Sequence, residues 1–433
     1  MSRPRVDVGT WKWPRMNDRI QTIDSPTQIA ALGRRLRQAA ASKEISPNAV
    51  IDIFERWSAA LCGKGTDEIP GIAFLRLWLR RGTLEPILER ELGPDLLDGG
   101  WRKEGRASLR VFPLGVVGHW PAGNIEIQPV LSMSCALLGG NACLVRVPGG
   151  LLEPTARFLE KLHEADRDGA LVERIALAGF DHSRLDLHQA MAETVDGAMI
   201  WGGAEAVSQI RALPFPHWAR VAVFGPRLSV AVMDSPTWNN AEERATWCQR
   251  IARDVWQFDQ RACSSPQCLF LEKGAAGDVS AFVEGLKQAF AEENRVHPRE
   301  EIHPSLTSAI CLARASWLLG DRGRKAFFPE SPDWTILLGA GPDIPKPTQG
   351  RTLYVLVVDD LLDAISRFGG AVQTMGLAIG DARREEALAQ AAGRTGVDRI
   401  VKLGRMHVFG SPWDGVDLIR PMVRLVRHVY SVD

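Results

Sequence analysis

The chain has 433 residues, enough for two or three domains of ordinary size. Hydrophobic residues make up 45% of it and charged residues 24%, a balance typical of globular proteins that excludes a disordered chain. Lys plus Arg and Asp plus Glu both number 52, so the formal net charge is zero and no global field favours nucleic acid or an anionic membrane.

Residues 1–108 are predicted to be mostly helical. Apolar residues recur there at three- and four-residue spacing in IAALGRRLRQAA, AVIDIFERWSAALC and IAFLRLWLRRG. We expect this region to pack on the domain that follows it.

From Leu109 to Gly225, short apolar runs alternate with helical patterns. The predicted order is LRVFPLGVVG, a helix near 125–138, ACLVRV, a helix near 152–164, RIALAGF, a helix near 184–193, GAMIW, a helix near 203–211 and RVAVFG. Near-continuous apolar strands separated by helices indicate a parallel sheet covered on both faces. We therefore predict a doubly wound, Rossmann-like α/β domain over 109–225, with its ligand at the carboxyl ends of the strands.

A second alternating set begins at LSVAVMD, after a domain boundary predicted near Gly225–Pro226. It continues with a helix over about 240–258, QCLFLEK, a helix near 277–293, a helical SLTSAICLARASWL, WTILL, TLYVLVVD, AVQTMGLAI, a helix near 382–393 and DRIVKL. This order predicts a second α/β domain over 226–404. The tail, 405–433, contains GVDLIRPMVRLVRHV, which predicts a closing amphipathic helix.

Two segments bear on the location of the chain. The first residues, MSRPRVDVGTWKWPR, have no apolar core segment, so we expect no signal peptide. The longest uncharged stretch, Ile127–Val145, is interrupted by Pro129 and Gly139–Gly140, which predicts a helix, a turn and a buried strand rather than a membrane span. We expect a cytoplasmic protein with no membrane span.

The seven cysteines point to one candidate nucleophile. Their odd number and the lack of a CxxC pair argue against a disulfide framework or a zinc site, and favour a reducing compartment. Four lie in apolar runs and are expected to be small buried hydrophobes: Cys135, Cys143, Cys268 and Cys311. Cys263 lies instead in the polar loop FDQRACSSPQ, where backbone N–H groups and Arg261 can stabilise a thiolate. Composition alone leaves a nucleophile and a buried hydrophobe equally open for Cys263.

The Pro121–Asn124 turn is a second candidate segment, because it leaves a strand and enters a helix, where ligands meet α/β sheets. Asn124 is a candidate amide donor to an oxyanion, or alternatively only a helix N-cap. Arg146 ends the next strand, where its guanidinium can reach a cofactor phosphate or ribose, or is alternatively a solvated charge.

The third candidate segment is Gly202–Gly203, directly after the strand GAMIW and before a helix. Two glycines there allow the backbone to approach a pyrophosphate at the positive end of the helix. The same pair can serve simply as a turn, and the complete GxGxxG fingerprint is missing from the chain.

Other motifs are missing. The sequence has no P-loop, HExxH or GxSxG motif, and its nine histidines have no metal-ligand spacing, so we predict no metal site. His119 and His407 adjoin candidate loops, but a lone histidine is usually structural or exposed. The 14 tryptophans are not interleaved with a basic patch, so nucleic-acid binding is not predicted.

Taken in order, these segments resemble the aldehyde dehydrogenase superfamily and, more narrowly, the acyl-CoA reductase (LuxC-like) family typified by the fatty-acid reductase of bacterial luminescence. The similarity covers about Leu109 to Val429. The matching segments are the proline–asparagine loop Pro121–Asn124, the strand from Gly140-Asn141 to Arg146 with arginine where lysine is usual, the cofactor turn Ile200–Gly203 and, most specifically, the nucleophile loop Phe258–Cys263. AVQTMGLA, GVDRIVKLG and SPWDG resemble the reductase family rather than general aldehyde dehydrogenases.

Two departures from the superfamily pattern bear on the reaction. Acid-forming aldehyde dehydrogenases carry a glutamate in an ELGG motif that activates the hydrolytic water, whereas the corresponding stretch here, Val223–Pro226, has no carboxylate. Because hydrolysis of a thioester needs a base, this change disfavours acid production and leaves an acyl-enzyme free to exchange with a thiol or to accept hydride. The glutamate that usually holds the nicotinamide ribose also lacks a clear counterpart in KPTQGRTLY.

The resemblance implies an aldehyde-dehydrogenase-like fold of two doubly wound α/β domains with a helical N-terminal region. It implies an enzyme that reduces an acyl thioester to the aldehyde through an acyl-Cys263 intermediate, with Asn124 and the Cys263 N–H holding the oxyanion. The implied cofactor is NADPH, with NADH as the alternative, because Arg146 suits a 2′-phosphate. The residues expected at the cofactor are Trp120, Pro121, Arg146, Trp201, Gly202 and Gly203.

The expected substrate is an acyl-CoA or an acyl-carrier thioester. The sequence leaves open whether a partner enzyme or carrier protein donates the acyl group, and whether the chain forms a homo-oligomer. Three other functions also stay open: a cysteine-dependent acyltransferase or thioesterase without redox chemistry, a CoA-acylating aldehyde dehydrogenase working in the oxidative direction, and a non-catalytic subunit that retains the fold.

Overall fold

The computed structural model describes residues 20–274, 279–299 and 301–430. The chain divides into two compact units, Met1–Gly225 with Phe409–Asp433, and Pro226–Val408. The N-terminal segment that bears on a signal peptide lies outside the described residues, as does the start of the helix expected near 277.

The first unit is built around a parallel sheet. The strands of this unit, not all of which belong to that sheet, are β1 (Ile20–Thr22), β2 (Arg102–Glu104), β3 (Ala107–Pro113), β4 (Val116–Trp120), β5 (Ala142–Arg146), β6 (Ile175–Gly179), β7 (Gly197–Trp201) and β8 (Arg220–Phe224). Its helices are α1 (Pro26–Ser42), α2 (Pro47–Ala60), α3 (Ile72–Trp78), α4 (Arg81–Leu92), α5 (Gln128–Leu138), α6 (Leu152–Ala165), α7 (Leu185–Thr194) and α8 (Ala204–Arg211). Among the described residues, the sheet order is β1-β6-β5-β4-β7-β8 with every pairing parallel. The predicted doubly wound α/β fold is confirmed.

The N-terminal region is helical, as predicted, and contributes directly to this core. Ile29, Leu32 and Leu36 lie on one face of α1 and are at most 4% exposed, in one hydrophobic cluster with strands of the sheet. The Ser46 hydroxyl caps α2 by accepting the Ala49 N–H at 3.2 Å. The prediction of a mostly helical region did not include β1, which adds a strand beside β6.

The uncharged stretch Ile127–Val145 forms α5, a tight turn and β5, as predicted. Gly140 in this turn has φ +77°, which a side chain would strain. The next residue, Asn141, is fully buried, and its amide donates to the carbonyls of Ala136 and Met422 at 2.9 and 2.8 Å. Asn141 therefore joins the turn to the C-terminal segment of the chain.

The second unit is also an α/β sheet. Its strands are β9 (Leu228–Met233), β10 (Pro266–Glu272), β11 (Lys325–Phe327), β12 (Thr335–Ala340), β13 (Thr352–Val358), β14 (Val372–Ala378) and β15 (Arg399–Lys402). Its helices are α9 (Ser235–Asn239), α10 (Arg244–Trp256), α11 (Ser280–Val296), α12 (Pro304–Leu318), α13 (Leu361–Ser366) and α14 (Ala382–Thr395). In the described residues the order is β11-β12-β13-β10-β9-β14-β15, parallel except for β11 with β12. Alternate residues of β9 enter two separate hydrophobic clusters, which explains its continuous apolar sequence.

Two bulges lie at the start of the central strands of this sheet. The pairing of β10 with β9 shifts between Pro266 and Cys268, and the pairing of β14 with β9 shifts between Val372 and Thr374. Both shifts occur beside Ser229 of β9, and each leaves an extra residue, a glutamine in both strands. Bulges of this kind re-aim a side chain, and they are common next to active sites.

The prediction of a closing amphipathic helix is wrong. Residues Val423–Val429 form β16, which pairs antiparallel with β3 from Val423↔Pro113 to Val429↔Ala107. Apolar residues at three- and four-residue spacing suggested a helix, but β-branched valines also suit a strand, and β3 supplies backbone partners that the local pattern cannot reveal.

The C-terminal segment is also held by a buried carboxylate. The Glu91 side chain of α4 accepts the backbone N–H groups of Ile419 and Arg420 at 2.8 and 2.7 Å. Its side chain is fully buried, so these bonds form away from solvent. The tail therefore completes the first unit rather than extending the second.

No helix in the described ranges is both long enough and apolar enough to cross a membrane.

Candidate active site

The loop that carries Cys263 follows an unusual backbone turn. After α10, Phe258, Asp259 and Gln260 have φ values of +54°, +54° and +59°, a left-handed conformation that costs free energy for residues other than glycine. Three such residues in succession require strong tertiary support, and this kind of backbone is concentrated at functional sites.

Buried side chains supply that support. The Gln260 amide donates to the carbonyls of Pro266 and Thr352 at 2.8 and 2.9 Å, and its oxygen accepts the Thr352 N–H at 2.7 Å. The Asp259 carboxylate accepts from Arg299 at 2.7 Å and from Arg351 at 2.8 Å. These bonds tie the loop to the edges of β10 and β13, so the position of the cysteine is fixed by the sheet.

Cys263 is partly exposed and lies between two polar groups of the neighbouring strands. The Ser229 hydroxyl donates to the Cys263 carbonyl at 2.6 Å, and the Gln373 amide nitrogen lies 3.3 Å from the Cys263 sulfur. The thiol is thus reachable from solvent and is in contact with a hydrogen-bond donor, which is the environment of a reactive rather than a structural cysteine.

A buried arginine lies beside this cysteine. Arg399 of β15 pairs with Thr374 across the strands, and its guanidinium donates to the carbonyls of Met406 and Val408 at 2.7 and 2.6 Å. Burial lowers the pKa of Arg399 to about 10, against the attraction of Cys263 and Asp254, so it is charged at neutral pH. Arg399 therefore provides positive charge near the sulfur.

His407 supports the loop without serving as a base. Its Nε2 lies 2.7 Å from the Asp254 carbonyl, which can only accept, so Nε2 carries the proton and Nδ1 accepts the Ser264 hydroxyl at 3.0 Å. Burial lowers the pKa of His407 to about 4, so the ring is neutral at pH 7. With both nitrogens engaged, the ring orients the residue next to Cys263.

The buried Asp254 carboxyl makes the stability of the second unit depend on pH. Burial raises the pKa of Asp254 from its ordinary 3.8 to about 7, against the N–H groups of Gly404 and Met406 and the charge of Arg399. Because the folded pKa lies above the unfolded one, the carboxyl stabilises the fold below about pH 4, and this contribution is lost as pH rises through 7. We expect the free energy of unfolding of Asp254→Asn, measured relative to wild type, to be higher at pH 8 than at pH 5, by roughly 3 kcal/mol at most. Thermal unfolding at the two pH values measures this difference.

Asp359→Asn is the matched control, because the Asp359 side chain is 91% exposed. We expect the melting temperature of this variant to equal that of wild type at both pH values. The lowered pKa of His407 makes its own contribution to stability change with pH in the opposite direction. This contribution is common to all three proteins, so it cancels when each variant is compared with wild type. Equal melting shifts of Asp254→Asn at pH 5 and pH 8 would contradict the assignment.

The other cysteines separate into two groups. Cys135, Cys143 and Cys268 are fully buried, as predicted, and burial raises the pKa of each thiol, which keeps it inert. The prediction that Cys311 is buried is wrong, because α12 turns a narrow stripe through Ile310 toward the sheet and leaves Cys311 exposed.

In the first unit, the Pro121–Asn124 loop joins β4 to α5. The N-cap of α5 is Ile127 and no side chain caps it, so the N-cap alternative for Asn124 does not hold. Pro121 is buried, while Asn124 is only partly so. Asn124 is therefore on a partly buried turn at the carboxyl edge of the sheet, where ligands of such sheets bind.

Arg146 ends β5 at the same edge. Its Nη2 lies 3.4 Å from the Phe180 carbonyl, and the guanidinium is 5.9 Å from the Phe180 ring centre. Burial lowers the pKa of Arg146, with Asp181 as the nearby countercharge, and its Nε has no partner among the described residues. A desolvated guanidinium of this kind can accept an anionic ligand.

The two tryptophans expected at the cofactor are largely buried. Trp120 is 4% exposed and donates through Nε1 to His188 at 3.0 Å. Trp201 is 7% exposed, donates to Ser132 at 2.9 Å and stacks on Phe224 with ring centres 3.8 Å apart. Both side chains thus serve packing, and any ligand contact is limited to the small exposed fraction of each.

Gly202 and Gly203 lie between β7 and α8. Gly203 is the N-cap of α8, and a Cβ placed on it would have no heavy atom within 4 Å, so the backbone is open there. An open helix N-terminus after a parallel strand is suited to a pyrophosphate. The residues of this unit therefore fit a dinucleotide: backbone N–H groups at Gly203 for the pyrophosphate and Arg146 for an anion beyond it.

Three residues around the cysteine escaped the sequence analysis: Ser229, Gln373 and Arg399. Each lies on a strand distant in sequence from Cys263, so only the folded sheet brings them together. Gln373 left one signal in the sequence, a long polar side chain within the mostly apolar run AVQTMGLA. In the described part of the chain, no cluster of three or more His, Cys, Asp or Glu side chains could hold a metal ion.

The family model described as acyl-CoA reductase (LuxC) matches residues 45–427 of the chain. The "Long-chain acyl-protein thioester reductase 2" of Photobacterium leiognathi is 24% identical over 356 residues, 81% of this chain and 70% of that protein. The "Long-chain acyl-protein thioester reductase" of Vibrio harveyi is 25% identical over 355 residues, 81% of this chain and 71% of that protein.

Solved structures show the same fold. The glyceraldehyde-3-phosphate dehydrogenase GapN of Methanocaldococcus jannaschii, complexed with NADP, superposes with a TM-score of 0.68 at 11% identity, over 95% of this chain and 96% of that one. Aldehyde dehydrogenase C of Pseudomonas syringae, complexed with NAD+ and octanal, superposes with a TM-score of 0.64 at 13% identity. The match covers 94% of this chain and 89% of that one. The aldehyde-dehydrogenase-like fold expected from the sequence is confirmed.

Proposed function

The chain belongs to the acyl-CoA reductase (LuxC) family, and from that premise we propose that it reduces a fatty acyl thioester to the aldehyde with a reduced nicotinamide. The observation that carries this proposal is the Cys263 sulfur, partly exposed on a rigid loop with an amide donor 3.3 Å away. A thiol in that setting is a nucleophile toward a carbonyl.

Acylation is the first step. The Cys263 thiolate attacks the carbonyl carbon of the thioester, and the new C–S bond forms as the carbonyl becomes an oxyanion. The Asn124 amide and the Cys263 backbone N–H are the donors that we assign to that oxyanion. Collapse breaks the bond to the carrier thiol, which leaves as a thiolate, takes a proton and departs, and the acyl group stays on Cys263.

Reduction is the second step. The chemistry that a reduced nicotinamide would supply here, when bound, is a hydride for the acyl carbon. Asn124 again holds the oxygen as it becomes negative, and the hemithioacetal then expels the Cys263 thiolate and releases the aldehyde. The net change consumes one thioester, one hydride and one proton and gives one aldehyde and one free carrier thiol.

The residues at the end of β8 favour reduction of the acyl-enzyme by hydride over its hydrolysis by water. Val223 and Phe224 occupy the stretch where acid-forming relatives of the fold carry a glutamate base, and Phe224 stacks on Trp201. Hydrolysis of a thioester at neutral pH requires a base that deprotonates water. An apolar pair at this position therefore favours an acyl-enzyme that survives until it is reduced.

The cofactor is NADPH in this proposal. A carboxylate usually follows the second strand of an NAD site to hold the ribose 2′-hydroxyl, whereas Arg146 is followed by Val147-Pro148-Gly149-Gly150. A 2′-phosphate would give the half-buried Arg146 guanidinium an anionic partner. The open backbone at Gly203 would hold the pyrophosphate.

Changing Arg146 to Gln tests that choice. We expect kcat/KM for NADPH to fall at least about tenfold and that for NADH to stay within about twofold, because only the phosphate contact is lost. Stopped-flow absorbance of the reduced nicotinamide measures both. Wild-type enzyme that oxidises NADH faster than NADPH would overturn the NADPH assignment.

The reaction itself is tested by intact-mass spectrometry with acyl-CoAs of varied length, first without cofactor and then with NADPH. We expect an acyl adduct on Cys263 that persists without cofactor and disappears with aldehyde release when NADPH is added. Steady turnover to free acid or to a second thiol without cofactor would instead show an acyltransferase or thioesterase. The chain length that acylates fastest defines the substrate class.

A further inference from the structure

Gln373 of β14 contacts the reacting atom of the proposed mechanism. Its side chain is fully buried, and its Nε2 lies 3.3 Å from the Cys263 sulfur. It occupies the bulge between Val372 and Thr374, where the pairing with β9 shifts. The extra residue turns a polar side chain out of an apolar strand toward the cysteine, which is the kind of local irregularity that positions functional groups.

The direction of this amide is fixed by its other end. The Gln373 oxygen accepts the Thr374 hydroxyl at 3.3 Å, which leaves the NH2 group facing the sulfur. An amide nitrogen can only donate. Because a thiolate is a far stronger acceptor than a thiol, a donor held at this distance favours the ionised form of the cysteine.

The charge near this pair has the matching sign. The Arg399 guanidinium lies 3.4 Å from the Thr374 hydroxyl, the same hydroxyl that orients Gln373. Arg399 also donates to the backbone carbonyls of Met406 and Val408, which hold the guanidinium in place. A cation in a buried site stabilises an anion beside it more strongly than it would in water.

We propose that Gln373 is a catalytic residue that holds the Cys263 sulfur as a thiolate and aims it at the carbonyl, with Arg399 behind it as the countercharge. This inference rests on the proposed role of Cys263 as the nucleophile. It answers how the cysteine is activated when both nitrogens of the neighbouring His407 are engaged in other hydrogen bonds. The same donor stabilises the thiolate again when the hemithioacetal expels it.

The test is the pH dependence of alkylation by iodoacetamide, read for each cysteine by peptide mass spectrometry on the full chain. Alkylation follows the thiolate, so its half-maximal pH reports ionisation. In wild type, we expect Cys263 to reach half-maximal alkylation at a lower pH than the exposed Cys62 and Cys311, which serve as internal references.

Two variants distinguish hydrogen-bond donation by Gln373 from the steric role of its side chain. Gln373→Met keeps the length of the side chain but removes the hydrogen-bond donor. We expect the half-maximal pH for alkylation of Cys263 to rise by at least about one unit. The alkylation rate at pH 7 should then be about tenfold lower than in wild type, and the rate above the midpoint should equal that of wild type. Gln373→Glu keeps the shape and adds a negative charge, so its rise should be larger. Gln390→Met, the same change on the exposed face of α14, should leave Cys263 at the wild-type midpoint.

Several results would overturn this role. A wild-type midpoint for Cys263 no lower than those of Cys62 and Cys311 would do so without any variant. An unshifted midpoint in the two Gln373 variants, or an equal loss of alkylation at every pH, would show that Gln373 only fills space. The proposed function fails separately, if acyl-CoA leaves no adduct on wild-type Cys263; the alkylation midpoints still decide whether Gln373 holds a thiolate.

Discussion

Replacement of Cys263 by Ala should abolish the covalent acyl adduct and lower aldehyde formation by at least about 10⁴-fold. Loss of the nucleophile from a covalent mechanism typically costs that much or more, because no other group can take over the bond-forming step. Intact mass after acyl-CoA addition reports the adduct, and stopped-flow oxidation of the reduced nicotinamide reports turnover. Binding of the nicotinamide itself should persist, since Cys263 lies on the second unit and the residues proposed to contact the dinucleotide lie on the first.

Cys311→Ala is the matched control for this result. Cys311 is also exposed and lies on the same unit, but it belongs to the surface of α12. We expect this variant to acylate and turn over at the wild-type rate. Aldehyde formation by Cys263→Ala within about tenfold of wild type would refute the acyl-cysteine mechanism.

Asn124→Ala should lower kcat by roughly 10²–10³ with little change in KM for the acyl thioester. Removal of one oxyanion donor has costs of this size, because the donor acts mainly once negative charge develops on the oxygen. Single-turnover experiments would separate the two steps. In the proposed mechanism, both acylation of Cys263 and hydride transfer pass through an oxyanion, so both rates should fall.

Asn239→Ala provides the control for the amide change, because Asn239 is an exposed residue at the end of α9. Its kinetics should match those of wild type. A uniform rise in KM for Asn124→Ala with kcat unchanged would assign Asn124 to substrate binding rather than to the oxyanion.

The central strands of the two parallel sheets were predictable because burial on both faces leaves a direct trace in the sequence. Runs such as ACLVR and LSVAVM are apolar at all but one position, and the structure confirms them as β5 and β9. The break in Ile127–Val145 was predictable for a related reason, since Gly139–Gly140 cannot continue a helix in the middle of a core.

The tail was not predictable from local pattern. The segment Val423–Val429 carries apolar residues at a spacing that fits a helix, and its strand conformation depends on pairing with β3, more than 300 residues earlier. Short strand β1 was missed for the same reason, because three residues give no periodicity and only β6 makes them a strand.

The candidate site divides along the same line. Cys263 stood out because a polar loop before a buried strand is a local feature, and Asn124 because a Pro-Ala-Gly-Asn turn follows an apolar run. Gln373 contacts Cys263 across 110 residues of sequence, and its orientation depends on a bulge that no composition reveals. Contacts of that kind arise from the register of the sheet.

The pairing of β16 with β3 constrains when the first unit can complete its folding during synthesis of the chain. While the ribosome is still translating residues 226–408, β3 lacks its neighbour on one side and the Glu91 carboxylate lacks the backbone groups of Ile419 and Arg420. The first unit of a nascent chain therefore stays incomplete until the residues of β16 have been synthesised. Its folding accordingly cannot finish before residues 226–408 have been translated, although most of its own residues are made first.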